Sequence, residues 1–90
     1  MARGARLKPK RLAQKLVQLR TALGLSQNEL IRVLDVDLTQ NRISEYETGK
    51  GEPPLPVLLR YARVAGICVD VLIDDELDLP AKLPAKPKHR

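Results

Sequence analysis

The chain is 90 residues long, carries a formal net charge of +5 and is 43% hydrophobic without a single Phe or Trp. That suffices for one small domain with a core of Leu, Val, Ile and Ala, small enough that self-association would add useful stability. No apolar run reaches the roughly 18 residues of a membrane span, no apolar signal region follows the basic start, and the lone Cys68 excludes an internal disulfide and suits a reducing cytoplasm.

Residues 1–8 read as a basic flexible arm. Through Gly24 the chain holds seven basic residues and no acid, which suits phosphate contacts or an arm following a groove; Arg6 and Lys10 are its candidates. The plainer alternative is that basic ends only keep a small protein in solution. Pro9 fits a first helical position, where its missing N–H costs nothing. Leu12, Leu16, Leu19 and Leu23 then recur as one helical face, and Gly24 supplies a left-handed stop. Ser26 caps a second helix, with Glu29 completing a capping box. This helix should bury Leu30, Val33 and Leu34 and end near Asp35. Thr39 caps a third helix, which turns Ile43 and Tyr46 inward with Glu47 beside them and stops at Gly49.

Three prolines and a glycine make a loop of residues 50–56. A fourth helix starts at Pro54 or Leu55, faces Leu58, Leu59 and Ala62 inward and ends at Gly66. A short fifth helix covers roughly 69–73, with Val69, Leu72 and Ile73 apolar and Cys68 half-buried before it. The acidic run Asp74-Asp75-Glu76 leads into a Pro/Lys/Ala-rich segment that cannot bury enough surface to fold. The expected organisation is an all-α domain over 9–74 and a disordered acidic-then-basic tail over 75–90. No alternating strand pattern occurs anywhere.

The chemistry concentrates in SQNELIRVLDVDLTQNRISEYETGK, residues 26–50: two short helices with Gln40, Asn41 and Arg42 opening the second. Gln and Asn can fork onto adenine and Arg onto guanine in a DNA major groove. A reading helix placed after a first helix is the helix-turn-helix arrangement. On a helix begun at Thr39, positions 40, 41, 44 and 48 cluster away from Ile43, Tyr46 and Glu47. Glu45 can accept from a cytosine amine, or repel phosphate and exclude wrong sites. The helix N-terminus at Thr39 attracts phosphate through unpaired N–H groups. An enzyme is not indicated: the one histidine is His89, both serines have helix roles, and no phosphate loop, metal-ligand cluster or paired buried carboxylates can be found. No cofactor or metal is expected.

These features resemble the Cro/C1-type (XRE, lambda-repressor-like) helix-turn-helix family of phage repressors and bacterial regulators. The likeness runs from about Leu16 to Ile73. It rests on the LxxLR stretch at 16–20, GLSQxEL at 24–30, ISxYExGK at 43–50, Pro53, and the closing helix pair LLRYARVAGICVDVLI at 58–73. It implies a compact five-helix DNA-binding domain. By the resemblance Gln27 braces the recognition helix and touches the DNA backbone or a base, Gln40 and Asn41 read bases, and Ser44 or Glu45 reads one turn later. Thr48 and Lys50 hold phosphate, and Arg20 with Glu47 forms an inward salt bridge. Cys68 stands where the family caps its last helix with Ser or Thr. One departure is clear: eight residues separate Leu34 from Ile43 where the common pattern has six. The longer turn brings Asp35 and Asp37 near the expected phosphate backbone.

The implied partner is double-stranded DNA carrying a palindromic operator. It would be met by a homodimer whose half-sites lie about 34 Å apart, pairing around Val57, Tyr61, Val69 and Ile73. The expected role is a cytoplasmic, nucleoid-associated repressor. The alternative is an antitoxin-like or adaptor protein, whose acidic patch from Asp70 to Asp78 would meet a basic protein partner.

Overall fold

A computed structural model describes residues 9–84. Five helices and no strand occur among them: α1 (Leu12–Ala22), α2 (Gln27–Leu34), α3 (Gln40–Thr48), α4 (Leu55–Ala65) and α5 (Val69–Ile73). Local chemistry sets most of the boundaries. Gly24 takes φ 72° after α1, so Gly24 and Leu25 donate back to the carbonyls of Thr21 and Arg20 and close that end. Ser26 and Glu29 exchange side-chain and backbone bonds as a complete capping box. The Thr39 hydroxyl accepts from the Arg42 N–H at 3.2 Å to start α3.

The start of α1 departs from expectation. Pro9 is not helical; the helix begins at Leu12, and Arg11 at its cap offers no capping side chain. The cap comes from Asp75, whose carboxylate accepts from the backbone N–H of Lys10 at 2.9 Å and of Arg11 at 3.0 Å. Arg11 replies through its guanidinium, which donates to the Asp75 carbonyl at 2.6 Å and pairs with Asp78. The far end of the same pairing involves Lys15, 1% exposed. Its ammonium donates to the carbonyls of Val71 and Asp74 at 2.7 and 2.8 Å and so closes the C-terminus of α5. Burial pushes the Lys15 pKa down.

This pairing corrects the disordered tail expected from residue 75. Asp75 and Asp78 bind α1, while Leu79 and Leu83 pack against the core. Composition signals a segment too polar to fold alone; it does not register that the uncapped α1 needs an acceptor. Residues 1–8 and 85–90, with Arg6 and His89, lie outside the described residues.

The core draws on every helix: Leu12, Leu16 and Leu19 of α1, Leu30 and Leu34 of α2, Ile43 and Tyr46 of α3, Leu58 and Tyr61 of α4, and Leu72 of α5. α1 packs on α3 and α5, α2 on α3 and α4, and α4 on α5. Two expected core residues face water instead, Val33 and Leu59. Cys68 is exposed rather than half-buried, and makes no capping bond. Tyr61 and Val57 are buried, so neither can form the dimer face expected of them. The Tyr61 hydroxyl has no hydrogen-bond partner among the described residues, and burial drives its pKa up.

Candidate nucleic-acid interface

The junction of α2 and α3 is anchored from α1. Arg20 donates two bonds to Glu47, Nε to Oε2 at 2.7 Å and Nη2 to Oε1 at 3.0 Å, and a third from Nη1 to the Leu25 carbonyl. The Glu47 side chain is only 6% exposed and Arg20 20%. The bond to Glu47 holds the Arg20 pKa above its ordinary value against the opposing effect of burial. One ion pair thus fastens α3 to α1 and reaches the backbone that enters α2.

From Glu47 the bonding continues outward. Gln27, the first residue of α2, donates through Nε2 to Glu47 Oε1 at 3.1 Å, and its Oε1 accepts from Gln40 Nε2 at 3.1 Å. The first residues of both helices are therefore tied side chain to side chain. Gln40, Asn41 and Arg42 stand exposed on the first turn of α3, and Asn41 makes no side-chain hydrogen bond among the described residues. Arg42 and Glu45 pair at 3.1 Å. An exposed pair three residues apart is worth only about 0.2–0.5 kcal/mol, so both groups remain available to a base or phosphate. Ser44 is half-buried on the same side.

The expected phosphate contacts divide. The Thr39 oxygen is spent on capping, but its hydroxyl hydrogen remains to donate. Thr48 has already donated its hydroxyl to the Ser44 carbonyl at 2.9 Å, so it offers DNA only an acceptor unless that bond breaks. Lys50 and Lys10 are both exposed and line one open cavity of about 660 Å³ between the start of α1 and the end of α3, walled also by Tyr46, Gly49 and Gly51. Two lysines from distant parts of the sequence thus line one open cavity beside one helix end, where positive charge suits a phosphate.

Residues 16–71 match the family model described as helix-turn-helix. The chain belongs to the helix-turn-helix family of Cro/C1 type. It is accordingly a DNA-binding transcription regulator, of a family that binds DNA rather than one of enzymes. No match is found among curated proteins. Among the described residues, no helix is long and apolar enough to cross a membrane.

The longer turn of this helix-turn-helix has a definite solution. Asp35 adopts φ 57° and ψ 49°, the left-handed region, and its N–H closes α2 on the carbonyls of Ile31 and Arg32. Asp tolerates that conformation better than most residues, which replaces the missing glycine. Val36 and Leu38 then turn inward onto the core while Asp35 and Asp37 point to water. The extra residues are consumed by two apolar anchors and leave the Gln27–Gln40 bond in place.

The resemblance gave Gln27 as a brace of the recognition helix but not its partners Glu47 and Gln40, residues of ordinary composition with no periodic signal. Two features escaped sequence reasoning: the shared cavity of Lys10 and Lys50 and the capture of α1 by Asp75, which span 40 and more positions. The only sequence hint of the last was a basic helix start without a capping residue.

Proposed function

We propose that this regulator is a repressor that reads a palindromic operator as a homodimer, with α3 in the major groove of double-stranded DNA. What carries the reading is the first turn of α3. Gln40 is held in place through Gln27 and Glu47, and Asn41 beside it keeps an unengaged amide facing outward. Held amides on a helix N-terminus are suited to forks on adenine, each worth about 1–3 kcal/mol of discrimination. Arg42, Ser44 and Glu45 complete the reading face. Thr39, Lys50 and Lys10 supply backbone contacts, which set register without carrying sequence. Repression follows from size, since a domain this small obstructs polymerase more easily than it recruits it.

The protein-partner alternative relied on the acidic run. Asp75 and Asp78 are spent inside the chain on Lys10 and Arg11, which leaves Asp70, Asp74 and Glu76 of that patch facing water.

The test is selection of bound duplexes from a random pool by wild type and by Gln40→Ala/Asn41→Ala. A palindromic motif that disappears in the variant is the expected result. Motif-free enrichment by the wild type would refute base reading. Lys50→Ala should weaken binding to all sequences alike and reduce the salt slope by about 1, whereas Asn41→Ala should relax preference at one position.

A further inference from the structure

Asp75 is half-buried, whereas the neighbouring acids Asp74, Glu76 and Asp78 stand exposed. Its place in the segment that follows α5 is fixed from two directions. Before it, the buried Lys15 ammonium holds the carbonyls of Val71 and Asp74 at 2.7 and 2.8 Å. From Asp75 onward, the Arg11 guanidinium takes the carbonyls of Asp75 and Leu77 at 2.6 and 3.4 Å and pairs with Asp78. Between these clamps the Asp74 carboxylate accepts from the Glu76 N–H at 2.9 Å and sets the bend. The Asp75 carboxylate is thus delivered to the start of α1 by a segment held at both ends.

What that carboxylate holds is the backbone of Lys10. This residue lies two positions before α1, so the helix offers its N–H no partner. The N–H donates instead to both Asp75 oxygens, at 3.0 and 2.9 Å, and one of them, Oδ1, also takes the Arg11 N–H at 3.0 Å. Lys10 itself is exposed and lines, with Lys50, the cavity beside the end of α3. Glu52 lines it too, so a Lys10 free to wander has a carboxylate as a rival to phosphate. A lysine is a point charge on a flexible stem. Anchoring its backbone beforehand removes part of the ordering that a complex would otherwise impose.

We infer that Asp75 is a positioning residue of the DNA interface: by fixing the Lys10 backbone it keeps Lys10 beside Lys50, and the segment after α5 thereby contributes to DNA affinity. The inference rests on the reading of Lys10 as a phosphate contact and goes beyond it. Its consequence runs against simple charge counting. Removing an acid beside lysines that meet a polyanion should strengthen binding. Removing one that positions a lysine weakens it.

The test is fluorescence-anisotropy titration of the full chain on a random-sequence duplex, from about 50 to about 200 mM salt, with circular dichroism verifying that each variant is folded at the working temperature. A random duplex makes the result independent of base reading. Each phosphate contact adds about 0.9 to the slope of log affinity against log salt, so over this fourfold range a variant lacking one contact should lose about 3.5 times less affinity than wild type. Lys10→Ala and Asp75→Ala should both do so, and Lys10→Ala/Asp75→Ala should show the slope of either alone. Asp75→Asn removes the same charge but keeps an oxygen in the place of Oδ1, which accepts from both N–H groups; it should retain the wild-type slope. Asp78→Asn removes a neighbouring charge and leaves the Lys10 bonds intact, so it should retain that slope as well. If Lys10→Ala loses a contact while Asp75→Ala keeps the wild-type slope or steepens it, the inference is overturned and the contact reading stands. The same follows if Asp75→Asn matches Asp75→Ala, since charge alone would then explain both. A wild-type slope for Lys10→Ala removes the contact reading and the inference with it.

Discussion

Replacing Arg20 by Met preserves the long apolar stem and removes the guanidinium. Glu47, 6% exposed, would lose its bonds at 2.7 and 3.0 Å and keep only the neutral Gln27 donor at 3.1 Å. Breaking one partner of a buried pair costs about 3–5 kcal/mol. Residual exposure of the Arg20 site favours the low end, near 3 kcal/mol, and loss of the bond to the Leu25 carbonyl adds about 1 kcal/mol. A domain of this size holds only about 5–10 kcal/mol in total. With a urea slope of about 1 kcal/mol/M, the unfolding midpoint followed by helical circular dichroism should fall by about 3–4 M. Arg20→Met/Glu47→Leu removes the stranded carboxylate as well, so it should return to within about 1 kcal/mol of wild type, a coupling of at least about 2 kcal/mol. On the proposed base-reading role of Gln40, the double variant should nevertheless broaden DNA selection at one position, because Gln27 has lost its anchor. A cost below about 1 kcal/mol for Arg20→Met, or a double variant as unstable as the sum of its parents, would refute the reasoning.

The remaining perturbations address the two ends of the fold and its turn. Backbone N–H bonds from Lys10 and then Arg11 hold the Asp75 pKa below its ordinary value. A depressed carboxylate contributes stability that is present above its unfolded pKa and lost as pH falls through the folded one. The amide resonances of Lys10 and Arg11 should therefore move together only below about pH 4, and Asp75→Asn should abolish that titration; amides that stay put in acid would exclude the cap. Asp35 holds φ 57° without being glycine, so Asp35→Gly should raise stability by about 0.5–1 kcal/mol in the same urea assay. An unchanged or lower midpoint would mean that the Asp35 conformation carries no strain.

Much of the fold was legible because its signals are local. Ser26 with Glu29, Thr39, and the glycines at 24, 49 and 66 each act within a few residues, and helix ends built from such pairs can be read from the chain. The inward faces of α1 and α3 were legible for the same reason. Val33 and Leu59 were misread because each borders an apolar stripe, and spacing alone cannot say how far the neighbouring helix extends over it. Pro9 and the tail were misread together, since one long-range contact decides both. The Arg20–Glu47 pairing came from resemblance rather than from any local pattern.

The candidate site was legible as a set of residues and not as an arrangement. A primary amide has no preferred orientation of its own, and its oxygen and nitrogen are told apart only by what they bond. Here the chemistry of the partners decides. Arg20 can only donate and an ionised Glu47 can only accept, so Gln27 must turn its nitrogen toward Glu47. Its oxygen is then left facing α3, where it can only accept, and Gln40 must turn its own nitrogen toward Gln27. Gln40 therefore presents its carbonyl and one remaining N–H outward in a set order. Neutralising Glu47 would release every orientation downstream of it without moving a backbone atom. The orientation of the exposed amide is thus a property of a nearly buried charge pair two links away, and that pair belongs as much to α1 as to α3.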